Sequence, residues 1–158
     1  MSLWKLNFFL KAYALLKLPL LLFVNPKVLE LKGHRSVVRI KLGYRTQNHL
    51  NVMYFGALAV GAELSIAIKA VEAIHLSGQK IDFIFKDFKS DFLKRSDDDV
   101  HFVCDEAQFV QELIDKACLS SERIERTFKG HALVPSKSSD PVMTYELTLS
   151  VKNRSKKL

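Results

Sequence analysis

The clearest alternation lies in "VMTYELTLSVK", residues 142–152. Met143, Tyr145, Leu147, Leu149 and Val151 fall on one side, and Thr144, Glu146, Thr148 and Ser150 on the other. A period of two predicts a strand with one buried face. "RSVVRIKLGY" repeats the pattern, with Ser36, Val38, Ile40, Leu42 and Tyr44 inward and Arg35, Arg39 and Lys41 outward. "KIDFIFKDF" places Ile81, Phe83 and Phe85 on one face, and "SDFLKR" continues it in extended form. "VHFVC" predicts a short strand and "ERIERTFKGHALV" a longer one. "QNHLN", Asp97 to Asp99 and "PSKSSDP" read as turns or loops.

Two other segments follow helical spacing. Tyr54 to His75 is long, rich in Ala and Leu and free of Pro, and Gly78 stops it. "DEAQFVQELIDKAC" is amphipathic. Asp105 is its expected N-cap with Gln108 three residues on, and Phe109, Val110, Leu113, Ile114 and Ala117 form its apolar stripe. The sum is an α+β pattern of mostly antiparallel strands with one long apolar helix and one short surface helix. Solvated outer faces mean that the sheet is covered on one side only. The long helix is the element that can cover the other, and its small residues let the sheet curl closely around it.

The N-terminal "MSLWKLNFFLKAYALLKLPLLLFVNP" fits neither pattern cleanly. It is apolar on all sides, but Lys5, Lys11 and Lys17 interrupt it and Pro19 breaks it. Its longest charge-free run, Leu18 to Pro26, has nine residues, against the ~20 that a membrane span needs. "LPLLLFV" has the look of a short signal-peptide core, but no A-x-A-like site follows it. The three lysines fall about 120° apart on a helix. Leu3 to Leu18 is therefore expected to be a helix packed on the body of the protein or on a partner subunit, with peripheral membrane contact as the alternative.

Composition bounds the rest. The 158 residues suit one domain, with residues 1–24 as a helical extension and 152–158 as a basic tail. Apolar content of 48% and charge of 26% are ordinary for a globular protein. Part of the net charge of +7 sits in Lys152, Arg154, Lys156 and Lys157. Such a tail is expected to be solvated, with anionic lipid or nucleic acid as the alternative, and no nucleic-acid partner is assigned. Cys104 and Cys118 form no C-x-x-C, which points to a reduced, cytoplasmic protein. The five histidines make no pair at ligand spacing, so no metal is expected. There is no G-x-S-x-G, G-x-G-x-x-G or H-E-x-x-H. Gly56 and Gly61 have P-loop spacing, but Ala62 and Glu63 stand where Lys and Ser or Thr belong.

One residue stands out against this background. Between Arg45 and Lys69, Glu63 is the only charged side chain. Its helical neighbours at i±3 and i±4 are Val60, Ala59, Ile66 and Ala67. A carboxylate on such a face is expected to be partly desolvated, with a raised pKa. The competing expectation is a structural Glu that meets a cation from another element, or one that is simply exposed.

The order strand, buried helix, curved antiparallel sheet resembles the hotdog fold. PaaI-like acyl-CoA thioesterases of that fold carry N-x-x-G-x-x-H-G-G followed, after six residues, by Asp or Glu. Here Asn48, Gly56 and Glu63 match in register, while Asn51, Tyr54 and Phe55 replace Gly, His and Gly. "DFLKRSDDDVHFVC" is similar to the family's F-L-R-P strand, loop and following strand. The order of elements agrees from about Val28 to Lys152, as in a divergent branch. The resemblance implies thioester hydrolysis at a site shared across a dimer, or a dimer of dimers, with the helix start from one chain and the acid from the other. Glu63 is then the base or nucleophile. Asn48 orients the water or the thioester, and Tyr54 is a hydroxyl donor. The N–H groups of Phe55 and Gly56 receive the developing oxyanion, and Ala67 leaves room for the acyl chain. Lys86, Lys89, Lys94 and Arg95 form a basic stretch for the phosphates of coenzyme A, which enters as part of the substrate; no other cofactor is expected. For Asn48, Tyr54 and the basic stretch, plain roles in a turn, in packing and on a solvated face stand beside these. The rival function is a hotdog protein that binds acyl-CoA or fatty acid without turnover.

Overall fold

The structure, a computed structural model, describes residues 2–155. Its elements are α1 (Leu3–Lys17), α2 (Pro19–Val24), β1 (Lys27–Lys32), β2 (Arg35–Ile40), α3 (Phe55–Ser77) and β3 (Ile81–Phe92). After these come β4 (Val100–Cys104), α4 (Ala107–Leu119), β5 (Arg123–Leu133) and β6 (Pro141–Asn153). The strands form one antiparallel sheet in the order β1-β2-β4-β5-β6-β3. The sheet packs around α3, as the small residues of that helix predict. Ala57, Leu58, Ala62, Ile66, Ala70 and Ala73 share one buried core with Phe102, Phe128 and Leu149. At Gly61 the helix comes close to the sheet, and a Cβ there would lie 2.2 Å from the Phe102 ring.

Buried hydroxyls tie the helix to the sheet. The Ser36 hydroxyl of β2 donates to the Ser65 carbonyl of α3. The Ser65 hydroxyl meets the Tyr145 hydroxyl of β6 at 2.8 Å, and Tyr145 donates to the Val103 carbonyl of β4 at 3.2 Å. Burial pushes the Tyr145 hydroxyl pKa far up, so it stays a neutral donor. These bonds fix α3 in rotation and depth, which places Glu63.

Several boundaries differ from the sequence expectation. β2 ends at Ile40, because a turn at 43–46 follows in which Thr46 Oγ1 donates to the Lys41 carbonyl at 2.7 Å. Tyr44 is 93% exposed as a result. β1 was not foreseen. It pairs with β2 through a turn at Gly33, whose φ is +47°. The N-cap of α4 is Glu106, not Asp105, and no side chain caps it. The Glu106 carboxylate accepts instead from the Lys129 N–H at 2.9 Å, and Asp105 lies 3.6 Å from Arg35. α4 buries Val110, Leu113, Ile114 and Ala117 in the core that α3 uses, so it covers the sheet as well. Ser150 is buried rather than outward, since its hydroxyl accepts from Arg123 and donates to Glu125. Lys152 and Asn153 belong to β6, and Arg154 pairs with Asp82 at 2.7 Å. Lys156 and Lys157 lie outside the described residues.

The N-terminal helices close the open side of the fold. Leu6 and Leu10 of α1 pack with Val28, Val38, Leu64 and Ile68. The Asn7 side chain donates to the Val28 carbonyl and accepts from its N–H, at 2.9 and 2.8 Å, which latches α1 to β1. Pro19 opens α2 at its first turn, where its missing N–H costs nothing. Among the described residues, no helix is long and apolar enough to cross a membrane.

Candidate active site

The loop before α3 is built by its own turns. Asn48 Oδ1 accepts from the Leu50 N–H at 2.9 Å and the Val52 N–H at 3.4 Å. Asn51 has φ +58°, a left-handed conformation that Asn tolerates far better than most residues. This explains why Asn can stand where the hotdog thioesterase pattern has Gly. Tyr54 donates its N–H to the Thr46 carbonyl at 2.7 Å, and Met53 donates to Ser96 at 2.8 Å, so the helix start is held from two sides.

Tyr54 is the N-cap of α3, and the first intrahelical bond runs from the Leu58 N–H to the Tyr54 carbonyl. The N–H groups of Phe55, Gly56 and Ala57 precede it and have no acceptor within the helix. Gly56 lies under the Tyr54 ring, where a Cβ would come within 2.7 Å. The Phe55 ring meets Phe92 edge-on at 5.8 Å, and both Tyr54 and Phe55 are exposed.

Glu63 lies two turns further on. Among the described residues, no ion pair or hydrogen bond reaches its carboxylate. It stands where an open cleft of about 720 Å³ meets a deeper, partly open apolar cavity of about 150 Å³. Val60, Phe83, Tyr13 and Leu18 border both spaces. Ala67, Leu64 and Ile68 of α3 line the inner cavity, with Phe9, Leu10 and Leu21 from the N-terminal helices. These apolar surroundings raise the Glu63 pKa above the ordinary glutamate value, by desolvation, although part of the side chain stays exposed in the single chain.

The structure thus brings Glu63 and Ala67 to one cavity, and Tyr54, Phe55 and Gly56 to one helix start. It does not bring the two groups together within one chain: eight residues of helix separate Phe55 from Glu63, about 12 Å. Lys94 pairs with Asp140 at 2.8 Å and Lys86 with Glu125 at 2.6 Å, while Lys89 and Arg95 are exposed. A broad depression of about 510 Å³ on β5 and β6, bordered by Lys129, His131 and Glu146, shares no residue with the Glu63 cavity. The cavity wall from α1 and α2 was missed in the sequence. Its only signal was the spacing of Leu6, Leu10 and Ala14, which an all-round apolar helix conceals.

A six-stranded antiparallel sheet wrapped on a long helix is the hotdog fold, and solved structures agree. The chain superposes on a protein of unknown function from Chlorobaculum tepidum with TM-score 0.79 and 10% identity, over 96% of each chain. A thioesterase of Haemophilus influenzae gives TM-score 0.67 and 13% identity, over 97% of this chain and 92% of that one. A substituted thioesterase of Pseudomonas aeruginosa gives 0.67 and 12%, over 97% and 95%. By sequence, the chain belongs to the DUF4442 family, a domain of unknown function, which matches residues 7–151. No curated protein matches it.

Proposed function

We propose that the protein hydrolyses an acyl thioester, in the form of an acyl-CoA, with Glu63 as the catalytic carboxylate. The observation that carries this reading is the position of Glu63, a carboxylate that meets no cation among the described residues, at the mouth of an apolar cavity. The acyl chain enters the cavity and the thioester lies at its mouth. Glu63 takes a proton from water as the water attacks the carbonyl carbon. The carbonyl oxygen gains charge and is received by the N–H groups of Phe55 and Gly56 at the helix start of a second copy. Collapse of the intermediate breaks the C–S bond and releases the thiol. Two copies are required because one helix cannot present its start and its eighth following residue to one carbonyl. Among the described residues, Lys89 and Arg95 are the cations of the basic stretch without an ion pair, open to the phosphates of coenzyme A.

A binding protein without turnover is the second reading. What favours it is Asn48, whose side-chain oxygen is engaged in its own turn rather than aimed at a ligand. Release of free thiol from a panel of acyl-CoAs decides between the two. Hydrolysis is expected, and Glu63→Gln, which keeps shape but removes the base, should lower its rate ~10²–10⁴-fold. Thermal stabilisation by an acyl-CoA without any thiol release would establish the binder. Equal activity of wild type and Glu63→Gln would remove Glu63 from the mechanism.

A further inference from the structure

The outer face of α1 is as apolar as its inner face. Leu6, Leu10 and Ala14 point into the body. At 100° per residue, Trp4, Phe8 and Leu15 fall within about 60° of the opposite direction. Their exposures are 68%, 67% and 67%. Leu20 and Phe23 of α2 extend the surface, at 61% and 54%. Single chains seldom expose a contiguous apolar patch beyond a few hundred Å² unless it meets something.

The charges around this surface say what it meets. Lys5 flanks the stripe on one side and Lys11 on the other, and Lys17 and Lys27 are exposed nearby. From Ser2 to Leu29 there is no Asp or Glu. A protein interface of this size would ordinarily pair some of four cations with carboxylates of its own. Here the complement is an extended anionic surface with an apolar layer beneath it. Lys stems can lie along the apolar stripe while the ammonium groups reach outward.

We propose that α1 and α2 dock the protein on an anionic lipid surface, with α1 lying in the interface. The helix is about 22 Å long, short of the ~30 Å hydrocarbon core, so it lies on the bilayer rather than across it. Trp4, Phe8 and Leu15 enter the acyl boundary and Lys5 and Lys11 meet the headgroups. The Asn7–Val28 latch and the inner stripe keep the helix attached to the body throughout. The inference does not depend on thioester hydrolysis.

Trp4 is the only tryptophan, so its emission reports this surface alone. With vesicles of phosphatidylcholine and phosphatidylserine, the emission should shift to the blue, and less so as salt rises. Joint Lys5→Gln and Lys11→Gln should weaken partitioning roughly 30-fold at low ionic strength. Joint Phe8→Ser and Leu15→Ser, at exposed positions, should keep the circular dichroism of the wild type and lose the shift. An unshifted Trp4 at all lipid concentrations overturns the proposal. Equal partitioning into pure phosphatidylcholine overturns its anionic part. A lipid-free shift that grows with protein concentration, with a doubling of mass that the Phe8 and Leu15 changes abolish, shows that a second copy covers the face instead.

Discussion

Two residues owe their identities to opposite causes. Asn51 is set by backbone geometry: at φ +58° it needs a residue that tolerates the left-handed region. Asn51→Gly should therefore leave stability nearly unchanged, while Asn51→Val should cost about 1–2 kcal/mol in denaturant unfolding. Glu63 is set by neither packing nor geometry, and its presence works against folding. Desolvation raises its folded pKa above the value of about 4.5 in the unfolded chain. Between the two pKa values the folded state holds the extra proton, so stability falls as pH rises through that window. Above it the charged form carries its penalty in full; below about 4.5 the penalty is gone. Glu63→Gln should match or exceed the wild-type melting temperature at neutral pH, with the difference closing in acid. Partial exposure in the single chain keeps the effect small, and a wild type that melts lower in the acid window than at neutral pH for reasons absent from Glu63→Gln would contradict it.

At the scale of elements, a close contact at Gly61 sets the depth of α3 together with its buried hydroxyl bonds. Alanine at 61 would gain ~1 kcal/mol of helix propensity. It would also drive a methyl group into Phe102, which is fully buried and cannot retreat. Overpacking of this kind costs about 1–3 kcal/mol, so Gly61→Ala should lower the unfolding midpoint. The same contact explains how much of the fold was legible. Small residues in α3 and the alternation in β6 announce a sheet curled on a helix. β1 was hidden because "KVLELK" is short and its neighbours are as apolar as it is. The capping of α4 was hidden because Glu106 is taken by β5, a partner 23 residues away. The site divides in the same way. Glu63 is visible as a lone charge in an apolar segment. The cavity beside it depends on which side of α1 turns inward, and a helix apolar all round gives no direction.

For the whole molecule, the edges of the sheet matter most. β3 is one edge, and its Ile84, Phe88 and Phe92 are exposed, with Phe55 against Phe92. An apolar edge strand left open invites pairing with another chain. A second copy at this edge would cover these rings and supply the distant helix start that Glu63 lacks. Light scattering at micromolar concentration should give a dimer or a multiple of it, and a strict monomer would remove the shared site. Charged substitution at Phe92 should shift the mass toward one chain and lower the proposed acyl-CoA hydrolysis together, while Glu63→Gln should lower hydrolysis alone.

The order of strands also constrains how the chain can be made. Among the described strands β3 is the third in chain order, yet it pairs with β6, the sixth, and with no other. Residues 81–92 must therefore wait for residues 141–153 before they gain any cross-strand bond. Until then β3 has no mate, while β1 and β2 can already form their hairpin. The arrival of β6 thus extends the sheet from β5 and supplies its outer margin, β3, with a mate in a single event.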